Sequence, residues 1–248
     1  MELFMGTRKS FNWSLLTRET LFSMLNSIQS KVIGKRLSVE SLHDLMSKHI
    51  KRHLPVKIRS ERDPKNDKGY VYVGGTYYSE KDFKNLIKHI EIIFSYNSEQ
   101  KYLTLSRHRW QRLCTLFADT MLHEIVHCRQ YRSRNFKSIP GYESTAYYAR
   151  DRKEQEYYGD TDEIGAFAFN IACELIDRFG DDFDAAAKYL DSNQCRRHKR
   201  TTFYKYMKAF DFDHNHSVIR RIKKKTIYHL PNALHYGKPF RTNNYLTY

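Results

Sequence analysis

Thr120-Met121-Leu122-His123-Glu124-Ile125-Val126-His127-Cys128 carries the pattern H-E-x-x-H. Residues four apart stack on one face of a helix, so His123 and His127 offer two imidazoles to one ion while Glu124 reaches the water that ion carries. Upstream and within the motif, Trp110, Leu113, Leu116, Phe117, Met121, Leu122, Ile125 and Val126 recur at helical spacing, and Ser106 is a suitable N-cap for them. Their spread around the circumference predicts a long, buried central helix rather than a surface one.

A hydrolytic zinc site keeps three protein ligands and one open position, so the two histidines require a third partner. No histidine occurs between His127 and His198, which argues against sites completed by a nearby histidine, including the short-range arrangement of Spartan-like DNA–protein crosslink proteases. The next apolar helix starts near Thr161 with Asp162-Glu163-Ile164-Gly165-Ala166-Phe167-Ala168 and runs to Gly180. A carboxylate in its first turn can project sideways to a neighbouring helix, and the small Gly165 and Ala166 permit close approach. Glu163 is the expected third ligand. Asp119, one turn before His123, and Asn170, two turns after Glu163, are candidates to hydrogen-bond the ligands from behind.

The chemistry expected of this set is hydrolysis by a zinc-activated water, with Glu124 as general base passing the proton to the leaving amine. A hydroxyl donor for the developing oxyanion is expected from Tyr142, Tyr147, Tyr148, Tyr157 or Tyr158, and the sequence does not choose among them.

H-E-x-x-H followed after a few dozen residues by a glutamate opening an alanine-rich helix resembles the glutamate-ligated zincin metallopeptidases. Glu163, Ala166, Phe167 and Ala168 are similar to the E-x-x-x-F-A segment of ImmA/IrrE-type peptidases and to metallopeptidases encoded by bacteriophages. The resemblance covers residues 70–178. It implies a zincin-like hydrolase with one zinc ion and a short sheet preceding the motif helix. Ile164 stands where the family's Glu-Ala pair has alanine, and Phe167 cannot act as the carboxylate that supports a ligand histidine in thermolysin-like enzymes.

Working outward, Leu21, Met24, Leu25, Ile28 and Val32 predict a helix over residues 17–33 capped by Gly34, and Ser38 opens a second one ended by Leu54-Pro55. Residues 60–69 are charged and turn-rich. Residues 70–73 and 89–96 are strand-like, the latter by alternation, and predict a small antiparallel sheet; if 89–96 were an edge it could pair with an extended peptide. Ser79-Glu80-Lys81-Asp82 is compatible with a short helix or a loop. A long polar connection spans 132–159, whose length suggests a functional loop with one helical turn inside, and residues 184–190 offer a further short helix. The expected architecture is α+β: a helical N-terminal extension (1–55), a zincin-like domain (56–194) and a basic aromatic C-terminal segment (195–248).

The chain carries 43 basic and 28 acidic side chains, a net charge of +15 that favours an anionic partner. Arg196, Arg197, Lys199, Arg200, Arg220, Arg221, Lys223, Lys224 and Lys225 interleave with Phe203, Tyr204, Tyr206 and Phe210, a pattern compatible with nucleic-acid binding or with a solvated basic surface. Cys114, Cys128, Cys173 and Cys195 form no C-x-x-C pair and suit buried free thiols in a reducing compartment. No apolar run approaches the roughly 18 residues of a membrane span. The expectation is a cytoplasmic zinc peptidase acting on a protein or peptide, without a membrane partner; if phage-encoded, it would act in the host cytoplasm or the virion, with a phage assembly as partner. The contrasting expectation is a nucleic-acid-associated or virion structural protein that keeps a zincin scaffold without turnover.

Overall fold

Ser38 and Pro55 set the ends of one helix as the sequence predicts. In the computed structural model, which describes residues 16–78 and 89–236, Ser38 Oγ accepts from Ser41 N at 3.0 Å and α2 (Val39–His53) stops at Leu54. Its last turn carries Lys51, Arg52 and His53, cations that complement the carbonyl end of the helix dipole. The preceding helix is shorter than its apolar periodicity predicts. α1 (Arg18–Asn26), capped by Thr17, gives way to a 3-10 turn at Gln29–Lys31, and Gly34 takes φ 74° some residues beyond.

These elements belong to the first of two compact units, Met1–Cys128. Its strands are β1 (Arg36–Ser38), β2 (Lys57–Arg62), β3 (Tyr72–Tyr77), β4 (Ile90–Tyr96) and β5 (Tyr102–Thr104). β4 is the centre of a three-stranded sheet of order β2-β4-β3, and β1 pairs with β5 in a separate antiparallel ribbon. The main sheet is mixed rather than antiparallel, because β2 joins β4 in parallel while β3 joins it antiparallel. β4 is therefore an interior strand. Its alternation is real: Ile90, Ile92, Phe94 and Tyr96 are buried while Glu91, Ile93 and Ser95 are half-buried. Residues 79–82 lie outside the described residues.

Helix α3 (Arg107–Ser133) spans about 40 Å at 1.5 Å per residue. Ser106 Oγ accepts from Arg109 N at 3.3 Å and starts it. Buried residues run through most of its length, from Trp110 to Cys128, as the wrap-around apolar pattern requires. Arg18, only 2% exposed, is held by Asp119 at 2.6 Å, joining α1 to α3. The division between the two units falls inside α3.

The second unit, Arg129–Tyr248, is helical among its described residues: the end of α3, then α4 (Ala149–Gly159), α5 (Thr161–Phe179), α6 (Phe183–Leu190), α7 (Thr202–Ala209) and α8 (Ser217–Tyr236). α4, 11 residues long, takes up more of the polar connection than the one helical turn expected there. α5 begins at Asp160, whose carboxylate accepts from Asp162 N and Glu163 N, and ends at Gly180 with φ 62°. Its small residues Gly165, Ala166, Ala168 and Ala172 are buried, and α8 packs against it. The basic C-terminal segment thus contributes core residues, Val218, Ile219, Ile222, Leu230 and Ala233 among them. All four cysteines are buried. No helix among the described residues is long and apolar enough to cross a membrane.

Candidate metal centre

The four-residue spacing on α3 brings the imidazoles of the motif together. His123 Nε2 and His127 Nε2 are 3.1 Å apart, with ring centroids at 4.7 Å and an interplanar angle of 80°. Both histidines are 7% exposed and Glu124 is 4% exposed. One ligating atom from each of His123, His127 and Glu163 lies within 4.8 Å of the others, so this His-His-Glu group can hold a metal ion. The donor set fits a zinc-like ion: tetrahedral ligands at about 2.05 Å stand about 3.3 Å apart, close to the observed separation of the two nitrogens. Among the described residues it is the one such group of histidine, cysteine and carboxylate side chains.

Glu124 is set against strand β3 by a glycine. A Cβ at Gly75 would lie 2.5 Å from Glu124 Oε1, 2.8 Å from its Cγ and 2.8 Å from Thr120 Cγ2. Only a residue without a side chain lets the strand run this close to the carboxylate. The available sequence signal was the Gly74-Gly75 pair directly after the strand-like residues 70–73, since glycine next to a strand marks close backbone approach. Among the described residues β3 pairs with β4 alone, so its other edge is open.

Glu163 sits half-buried in the first turn of α5, where the Asp160 cap fixes its backbone. Its neighbour Asp162 has a different partner: Arg134 donates to both carboxylate oxygens at 2.5 Å, and Gln130 Nε2 donates to the Asp162 carbonyl at 2.9 Å. Neither contact leaves a local signature in the sequence. Beside Glu163, Tyr158, Phe167 and Tyr206 form an aromatic cluster with centroids 4.7 to 5.8 Å apart. Burial, with Glu154 and Glu163 adding to it, raises the pKa of Tyr158, and burial followed by Glu163 raises that of Tyr206 further. Both hydroxyls therefore stay protonated at neutral pH and keep their donors.

The other sequence-selected residues disperse. Asp119 is engaged by Arg18, and Asn170 is half-buried farther along α5. Tyr147, Tyr148 and Tyr157 are exposed, and Tyr142 packs its ring on Phe210 and His216. Of the nine cations considered for nucleic acid, several have work inside the fold. Arg221 donates to Thr161 Oγ1 at 2.8 Å, Lys223 donates to Asp191 at 3.0 Å and to His214 at 2.8 Å, and Arg196 lies 3.8 Å above the Phe212 ring. Lys225 is half-buried; burial lowers its pKa, Arg221 adds to the lowering and Asp162 opposes it. Arg197, Lys199, Arg200, Arg220 and Lys224 are exposed.

Comparison of the chain with protein-family models, with curated proteins and with solved structures gives no match.

Proposed function

We propose that this protein is a zinc-dependent metallopeptidase of the glutamate-completed zincin type, with His123, His127 and Glu163 as ligands and Glu124 as general base. The observation that carries the reading is the convergence of these three donors to within 4.8 Å around a motif whose fourth member, Glu124, is buried beside them in sequence and pressed against β3. A histidine pair and one carboxylate form the donor set of zinc hydrolases that keep a coordination position for water or substrate. A bound zinc supplies Lewis acidity, lowering the pKa of water and polarising the scissile carbonyl.

The remaining work falls to the chain. Glu124, held against a strand it cannot approach more closely, accepts the proton of the attacking water and returns it to the leaving nitrogen. The edge of β3 that pairs with no strand among the described residues offers backbone donors and acceptors to an extended substrate next to that carboxylate, so a peptide added as a strand would pass the base. This moves the substrate-pairing role from β4, which is interior, to β3. Of the five tyrosines considered, Tyr158 is half-buried, and Glu163 adds to the burial that raises its pKa, which favours it as oxyanion donor.

The test is cleavage of a proteome-derived peptide library by the zinc-loaded chain and by Glu124→Gln. The wild type is expected to cut, and the variant to keep its zinc while losing about 10²- to 10⁴-fold in rate, the range for removing a general base. A zinc-loaded wild type that cuts nothing in the library, or a Glu124→Gln variant that cuts equally well, would overturn the proposal.

A further inference from the structure

Gln130 follows His127 by three residues on α3, a spacing that keeps side chains on one side of a helix, and Arg134 is the residue directly after the end of α3 at Ser133. Both reach the same residue of α5. Gln130 holds the Asp162 carbonyl at 2.9 Å and Arg134 holds both Asp162 carboxylate oxygens at 2.5 Å. Asp162 is 8% exposed, and Glu163 is the next residue in the chain. Gly165 completes the arrangement, because a Cβ there would collide with Gln130 Nε2.

We infer that Gln130, near the end of α3, and Arg134, just past it, are positioning residues, a two-point clamp on Asp162 that presents the Glu163 carboxylate to the ion held by the histidines of α3. This rests on the metallopeptidase reading of the site.

The physical case has three parts. First, a fork-to-carboxylate pair fixes direction as well as distance, which a single lysine contact would not. Second, it acts at the right place: consecutive Cα atoms are 3.8 Å apart, so holding the Asp162 side chain and carbonyl together leaves the Glu163 backbone little freedom. Asp160 reinforces this by accepting from Glu163 N at 3.3 Å. Third, a mostly buried ion pair gains little stability over apolar residues of the same size, because both charges must be desolvated. Arg134 and Asp162 side chains are 18% and 11% exposed, so the pair's use lies in the orientation it imposes. Groups that orient metal ligands in this way commonly contribute about tenfold to hundredfold in metal affinity.

The experiment measures zinc affinity of the full chain by competition with a chromogenic chelator, in wild type, Glu163→Ala, Arg134→Met and the double variant. Arg134→Met is expected to weaken binding by about tenfold to hundredfold in the wild-type background. In the Glu163→Ala background it should change nothing, because the group it positions is gone. Equal zinc affinity in Arg134→Met and wild type overturns the clamp, as does the same loss in both backgrounds, which would mark a general loosening. Wild-type affinity in Glu163→Ala would instead overturn the ligand assignment on which the clamp depends. If Arg134→Met does not fold, Arg134→Lys carries the test: it keeps the charge without the fork and should show a smaller loss that likewise vanishes without Glu163.

Discussion

Replacing Gly75 with alanine places one methyl group where β3 meets Glu124. Carbon atoms in contact stand about 3.5 to 4.0 Å apart. The new Cβ would lie 2.8 Å from Glu124 Cγ and 2.8 Å from Thr120 Cγ2, a shortfall near 1 Å at two carbons on successive turns of α3. The strand cannot simply retreat, because its backbone is registered on β4 with Gly74 opposite Ile93 and Gly75 opposite Ile92. Glu124, buried at 4% exposure, must take up most of the shift. Overpacking of this kind costs about 1 to 3 kcal/mol of stability. Displacing a catalytic group by about 1 Å costs on the order of 10²-fold in rate. The three atoms nearest the methyl group belong to Glu124 and Thr120 and not to a histidine ligand, so Gly75→Ala should bind one zinc as wild type does and cleave peptides about a hundredfold more slowly, a combination read from elemental analysis and single-turnover cleavage on one preparation. Wild-type cleavage by Gly75→Ala would refute the view that β3 holds Glu124 in place.

Two further expectations concern the scaffold. Arg18→Met leaves the Asp119 carboxylate without its buried guanidinium; with Asp119 itself 23% exposed, the loss should fall at the low end of the range for broken buried pairs, about 3 kcal/mol by urea unfolding. A loss below about 1 kcal/mol would show the pair to be dispensable. Burial lowers the pKa values of His43 and His229 in the folded chain, with Lys225 adding to the effect on His229. The unfolded chain therefore binds protons first as pH falls below about 6.5, so the metal-free protein should be most stable above that pH and lose Tm towards pH 5. His229→Phe should flatten that slope, and a slope unchanged by it would remove His229 as a source.

What the sequence revealed and concealed follows from the range of the forces involved. α3 and α5 were legible because their ends are local: Ser106, Asp160 and Gly180 lie beside the residues they cap, and apolar spacing marks what lies between. Their meeting at a His-His-Glu group could be anticipated from donor chemistry alone. β2 was not legible, because Lys57–Arg62 exposes most of its side chains and owes its strand conformation to pairing with β4. The clamp on Asp162 and the pairing of Arg18 with Asp119 join residues 28 and 101 positions apart, and no local pattern encodes such contacts. In the C-terminal segment, the density of lysine and arginine masked the apolar stripe of α8 that packs on α5. Tyr206 entered the sequence as one aromatic among basic residues, and only folding brings its ring to Tyr158 and Phe167.

The most direct test of the metal centre is elemental analysis of the chain after zinc loading and removal of excess ion, in wild type and in the triple variant His123→Ala, His127→Ala, Glu163→Ala. Three converging ligands predict one zinc per wild-type chain and none in the triple variant. A wild-type chain without zinc, or a triple variant that retains it in equal amount, would contradict the account.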